Sequence, residues 1–275
     1  MKKTGEHLYL DLLKKSLSYL LWEDPGMPVE MFAYKKPFHQ RMLIHFISKT
    51  LRLFNCQAVK LAKHDDSHKS EGKIWPRYAE TMIGLKRLDN IQFCVENVLK
   101  KNIKGDLIET GVWRGGATIL MRAVLAAYGI TDRRVFVADS FEGLPKPDEE
   151  KYPLDKGDQH YSEKFLAVTL EAVKANFDKY GLLDDQVVFL KGWFKDTLPD
   201  APIDTLSVIR IDGDMYESTN DAIVNLYPKL SKGGYCIIDD YVHPPCKQAV
   251  DDYRKRENIT SKIEKVDWTG VYWEK

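Results

Sequence analysis

Residues 106–117, DLIETGVWRGGA, read as a short apolar strand that runs into a glycine-rich turn and on into a helix. Glu109, at the end of the run, is followed by Gly111, Gly115 and Gly116, so the backbone can turn tightly and a ligand can approach it. The first turn of the helix then offers free N–H groups. A tight strand–helix connection without any ligand is the competing reading. The nicotinamide-dinucleotide pattern GxGxxG is absent, because Gly111 opens GxxxGG.

Outward from this unit the same alternation repeats. The apolar runs VFVAD (135–139), VVFL (187–190), LSVIRID (206–212) and YCIID (235–239) are separated by helical patterns near 117–128, 164–180, 219–230 and 246–257. Strands spaced by helices of this length predict βαβ units, hence an α/β fold: a doubly wound, mostly parallel sheet covered on both faces. Residues 259–266 and 271–274, split by Asp267-Trp268-Thr269-Gly270, predict a closing hairpin with an antiparallel edge strand.

The amino-terminal part differs. Leu8, Leu12, Leu13, Leu17, Leu20 and Leu21 recur at helical spacing over residues 8–22, up to the turn signal Asp24-Pro25-Gly26. A second helix with a basic face is predicted over 40–62, a mobile polar linker over 64–73, and a long helix over 77–101. This divides the chain into a helical cap, residues 1–75, and the main α/β domain, residues 76–275.

With 41 Lys+Arg against 41 Asp+Glu, no global field would hold nucleic acid or an anionic membrane. No apolar run approaches the roughly 20 residues of a membrane span. The four cysteines form no CxxC or Cys/His cluster and the start carries no apolar leader, which reads as reduced thiols in a cytoplasmic protein.

In an open α/β sheet, ligands bind outside the carboxyl ends of the strands. Four of the five runs finish in or just before an acid: Glu109, Asp139, Asp212 and Asp239. Asp139 lies roughly 20 residues past the glycines, the spacing at which an acid grips ribose hydroxyls, so an adenosine-containing cofactor is expected. If RIDGD and IIDDY are adjacent strand ends, Asp212, Asp239 and Asp240 converge, and a hard divalent ion such as Mg²⁺ would relieve their repulsion. Pairing of these acids with Arg210 and neighbouring lysines is the alternative. His160 lies in a long polar loop, 145–162, of the kind that folds over sites as a lid; His243 precedes two prolines and reads as a turn residue.

The stretches ETGVWRGGA, ADSFEGLP, KGWFKDTLP, RIDGDMYEST and LYPKLSKGGYCIIDDY, with LYLDLLKKSL and TMIGLKRLDN, resemble the macrocin O-methyltransferase family over nearly the whole chain. That resemblance implies a class I S-adenosylmethionine-dependent fold with a seven-stranded sheet and a helical amino-terminal extension, acting on sugar hydroxyls of antibiotics. It places cofactor contacts on Thr81, Met82, Glu109, Thr110, Gly111, Val112, Trp113, Asp139, Ser140, Phe141, Gly143 and Trp193, and Mg²⁺ on Asp212, Asp239 and Asp240. Asp214 and His160 are the two candidate general bases. A sugar or glycoside acceptor and a homodimer or larger homo-oligomer are expected. A phenolic diol acceptor, a non-catalytic cofactor- or glycan-binding role and a nicotinamide oxidoreductase are the competing functions.

Overall fold

The computed structural model describes residues 4–23, 26–30, 33, 36–61, 66–74 and 77–275. In chain order its elements are α1 (Gly5–Leu17), β1 (Met27–Pro28), α2 (Phe38–Leu53), β2 (Val59–Lys60), α3 (Asp66–Ser70), α4 (Leu85–Lys100), β3 (Asp106–Thr110), α5 (Gly116–Ala127), β4 (Val135–Asp139), α6 (Leu170–Lys179), β5 (Val187–Lys191), α7 (Phe194–Thr197), β6 (Leu206–Ile211), α8 (Tyr216–Leu226), β7 (Leu230–Ile238), α9 (Pro244–Arg256), β8 (Glu264–Lys265) and β9 (Val271–Glu274).

Seven strands form one sheet in the order β5-β4-β3-β6-β7-β9-β8. The first five run parallel, and β9 returns antiparallel to both β7 and β8. Strand order therefore reverses between β3 and β6, the place where such sheets bind ligands. The register carries the argument further. Thr110 pairs with Ala138 on one side and Ile211 on the other, and Ile211 pairs with Ile238. Gly111, Asp139, Asp212 and Asp239 thus stand one residue beyond a single row.

Alternation along the strands fills two cores. Leu107, Val135, Val137 and Val208 face α1, α4 and α5, whereas Ile108, Phe136, Ile209 and Ile211 face α8 and α9. Because both faces are buried, the strands read as continuous apolar runs. Trp273 closes the second core, its indole N–H donating to the Tyr227 hydroxyl at 3.1 Å.

Several sequence-based boundaries move: the helix expected over 8–22 spans Gly5–Leu17, and of residues 259–266 only Glu264–Lys265 form a strand. The helix expected over 77–101 starts at Leu85, because the backbone before it is engaged elsewhere: the Glu80 N–H donates to Leu17 O at 2.8 Å, and Glu80 O accepts from the Gly116 N–H at 2.9 Å. The helix expected over 40–62 ends at Leu53, where Asn55 turns left-handed at φ 57°, and Val59–Lys60 pairs with Met27–Pro28 instead. Of the linker expected over 64–73, residues 66–70 form α3, and Glu71 O accepts the Trp268 indole N–H at 3.0 Å, so this part is docked. The helix expected over 164–180 begins at Leu170, after the Thr169 hydroxyl accepts from the Ala172 N–H at 3.2 Å. The turn at Asp24-Pro25, the linker start at His64-Asp65 and the division at residues 75 and 76 lie outside the described residues.

Candidate active site

An open cleft of about 1110 Å³ lies over the strand-order reversal. Thr81, Met82, Glu109, Gly111, Val112, Trp113, Asp139, Ser140, Gly143, Trp193, Asp212 and Asp214 line it. Thr110 and Phe141 are buried and do not line it; Phe141 packs its ring on Phe189. Leu144, Pro145, Leu166, Lys195, Glu217 and Asp221 also line it, and sequence reasoning assigned none of them to the site.

The turn after β3 is held by its neighbours. A Cβ on Gly111 (φ 81°) would stand 1.9 Å from Asp212 O, so glycine is required for the β6 end to approach the turn. The Cβ side of Gly111 is thus filled by the β6 backbone, while Gly111 also lines the cleft. Asp139 clamps the same turn, with one carboxylate oxygen accepting from the Val112 N–H at 2.8 Å and the other from the Phe141 N–H at 2.7 Å. Burial raises its pKa while these bonds oppose the rise. Trp113, Phe141 and Asp214 all take left-handed φ values, 49°, 59° and 53°, immediately after β3, β4 and β6. Non-glycine residues held in this region mark strain that the surrounding packing must sustain.

Beside the cleft floor, Asp212, Asp239 and Asp240 each bring an oxygen within 4.8 Å of the others, and two carboxylate oxygens of Asp214 and Asp240 lie equally close to a ring nitrogen of His243. Two buried guanidiniums thread between the acids. Arg210 pairs with Glu109, with Asp239 and, at 3.0 Å, with Asp212. Arg87 pairs with Asp239 and, at 2.9 Å, with Asp267. Arginine pairing and convergence of the acids therefore coexist. Arg210 was legible as a partner, but Arg87 sits in an ordinary helical sequence 152 residues from Asp239, and no local pattern in α4 marks the contact.

The charges do not balance. Glu109, Asp212, Asp214, Asp239, Asp240 and Asp267 face two guanidiniums, which leaves an excess of negative charge in a largely buried place. Burial pushes Glu109 up to about 8 against the pull of Arg210, and burial with the charge of Asp212 pushes Asp214 up to about 7. Asp240 is driven well above the carboxylate range by burial and by Asp214, Asp212 and Asp239. Asp239 alone is held low, because Arg210 and Arg87 overcome its burial. Hard oxygen donors and surplus negative charge fit a divalent cation such as Mg²⁺.

The loop 145–162 is anchored rather than free. Buried Asp155 accepts from the Tyr216 N–H at 2.6 Å and the Glu217 N–H at 3.0 Å, satisfying the open end of α8. His160 is exposed, does not line the cleft, and holds Asp158 through Nδ1 at 2.8 Å. Partial burial disfavours its charge, yet Asp158, Asp214 and Glu163 raise its pKa. His243 caps the start of α9, its N–H bonded to Asp240 O at 2.8 Å.

A seven-stranded sheet in this order, flanked by helices and carrying its cleft at the reversal point, is the class I methyltransferase fold. The solved structure described as the O-methyltransferase NovP superposes with a TM-score of 0.84 at 46% identity, covering 98% of this chain and 99% of that one. The family model for macrocin-O-methyltransferase (TylF) matches residues 6–275, and the chain belongs to that family. It is a methyltransferase that uses S-adenosylmethionine. A relative from Streptomyces niveus, demethyldecarbamoylnovobiocin O-methyltransferase, is 50% identical over 98% of this chain and 93% of its own length. Another, from Streptomyces olivaceus, is 8-demethyl-8-(2,3-dimethoxy-alpha-L-rhamnosyl)-tetracenomycin-C 4'-O-methyltransferase, 49% identical over 99% of this chain and 94% of its own length.

Proposed function

We propose that this enzyme methylates a hydroxyl of a sugar carried by a natural product, with Mg²⁺ held by Asp212, Asp239 and Asp240. The observation that carries the reading is the meeting of these three carboxylates beside the cleft that the β3 turn opens. The similarity to an enzyme named for a rhamnosyl 4'-O position supports a sugar acceptor.

In this reading the backbone at Gly111 and Val112 takes the methionine part of the cofactor, and Asp139 takes the ribose diol. The Val112 and Phe141 N–H bonds fix the Asp139 carboxylate before any ligand arrives, so its orientation costs nothing on binding. A bound divalent cation would stabilise negative charge on the acceptor hydroxyl oxygen and so lower its pKa. S-adenosylmethionine, when bound, would supply the methyl group from its sulfonium centre, the O–C bond forming as the S–C bond breaks and the donor leaving as a neutral thioether. The hydroxyl proton passes to Asp214, which lines the cleft, whereas His160 does not. Holding both reactants in line is worth about 7–11 kcal/mol of the barrier.

The test is methyl transfer from labelled S-adenosylmethionine to a panel of L-rhamnosyl glycosides and catechols, with Mg²⁺ and with EDTA. Mg²⁺-dependent labelling of a glycoside is the expected result. Labelling of catechols alone would move the function to phenolic diols, and undiminished labelling in EDTA would remove the metal.

A further inference from the structure

We infer, on the reading that the sugar is methylated beside Asp212, Asp239 and Asp240, that a second, basic groove takes the other end of the acceptor, and that this end is a planar aromatic anion such as an aryl carboxylate or a phenolate. The groove, about 700 Å³ and open to solvent, is lined by Glu71 and Lys73 after α3, Lys86 on α4, Lys265 on β8, and Asp267 and Trp268 in the turn to β9.

Its place follows from the sheet. Ile238 at the end of β7 pairs with Val271 at the start of β9, so the turn between β8 and β9 stands at the same edge as the acids. The Thr269 hydroxyl donates to Asp239 O at 2.6 Å, and Arg87 joins Asp239 to Asp267. One guanidinium therefore separates Asp239 from the groove, a step that a sugar and a fused ring joined by a glycosidic bond can span.

The charge points to an anion. Asp267 is engaged by Arg87 at 2.9 Å, and Glu71 by Lys73 at 2.6 Å; Lys73, with the charges of Lys86 and His68, holds the Glu71 carboxyl below its ordinary range. Lys86 and Lys265 are exposed and form no ion pair among the described residues. Lys86 also lies in the first turn of α4, where the helix dipole is positive and neither an acidic residue nor a capping side chain offsets it. Two ammonium groups are thus left for an incoming negative charge.

The indole decides the kind of anion. Trp268 is 45% exposed, and its N–H donates to Glu71 O at 3.0 Å. The turn that carries it is fixed by Asp267, which accepts from the Thr269 N–H at 3.0 Å and the Gly270 N–H at 2.8 Å. A half-exposed indole whose one donor is already used offers apolar surface rather than hydrogen bonds, and a ring held in place before binding loses little freedom when a second ring covers it. Phosphate would leave that surface in water; an aromatic anion covers it while its charge meets Lys86 or Lys265.

Equilibrium dialysis of the full chain with 2-naphthoate, 2-naphthamide and pyrophosphate, each with and without saturating S-adenosylhomocysteine, tests the groove. 2-Naphthoate is expected to bind about tenfold more tightly than its amide, S-adenosylhomocysteine to leave it in place, and the double variant Lys86→Ala, Lys265→Ala to abolish the preference at an unchanged melting temperature. Equal affinity for acid and amide, a preference that survives the double variant, or displacement by S-adenosylhomocysteine would overturn the inference. Tighter binding of pyrophosphate than of 2-naphthoate would assign the groove to phosphate and overturn it equally. With the L-rhamnoside of 6-hydroxy-2-naphthoate as acceptor, the double variant is expected to raise KM about tenfold at the wild-type kcat; an unchanged KM would detach the groove from the acceptor and overturn it. Binding of 2-naphthoate as expected, with no glycoside methylated, would instead remove the sugar reading and leave the ligand class of the groove standing.

Discussion

Asp239 and Asp240 are neighbours in sequence and opposites in environment. Both oxygens of Asp239 meet guanidiniums, while Asp240 faces other carboxylates. Their asparagine variants should therefore fail differently. Asp240→Asn is expected to lose methyl transfer while melting at or above the wild-type temperature and still binding S-adenosylhomocysteine. Asp239→Asn leaves two buried cations short of a partner and is expected to lose stability as well, on the order of 3–5 kcal/mol. Equal melting temperatures for the two would contradict this division. For the base, Asp214→Asn is expected to lower kcat by about 10²–10⁴, and His160→Ala by far less; the reverse order would make His160 the proton acceptor. The acids were legible because strand ends are where an α/β sheet places its chemistry. The choice between the two bases was not, since it turns on which side chain faces the cleft.

At the scale of elements, the sheet and its closing hairpin were readable because burial on both faces leaves uninterrupted apolar runs. The misplaced boundaries have a common cause, which is backbone bonding partners far away in the chain. Residues 77–84 bond to the end of α1 and the start of α5, and no helical periodicity records that. Asp155 is a clearer case: it caps a helix 61 residues onward. Removing it in Asp155→Ala is expected to cost roughly 0.5–2 kcal/mol, the value of a helix cap, and to lower activity by loosening the β6–α8 turn that carries Asp214; a change in neither would show the cap to be incidental. On the opposite side, Arg122 reaches Asp184 from α5 and holds its carboxyl below the usual range. A depressed folded pKa gives stability that is present above the unfolded value, roughly 3.9, and is lost as pH falls through the folded one. The stability difference between wild type and Asp184→Asn should accordingly be small, because Asp184 is partly exposed, and should vanish in strong acid. A difference that grows with acidification would contradict the assignment.

In the whole molecule, one sheet joins the glycine turn after β3 to the acids at β6 and β7, and the ion pairs of Arg87 and Arg210 tie α4, β3, β6 and β7 together beneath the cleft. The function expected from the sequence motifs and the family to which the chain belongs agree on methyl transfer. Among the described residues no helix is long and apolar enough to cross a membrane. The proposed role of Asp212, Asp239 and Asp240 is to hold a divalent cation in that reaction. It is tested most directly by following label from S-adenosylmethionine into an L-rhamnosyl glycoside as EDTA and then excess Mg²⁺ are added to one sample. Transfer that falls to background with EDTA and returns with Mg²⁺ is the expected result; transfer that continues undiminished through the chelation step would contradict it.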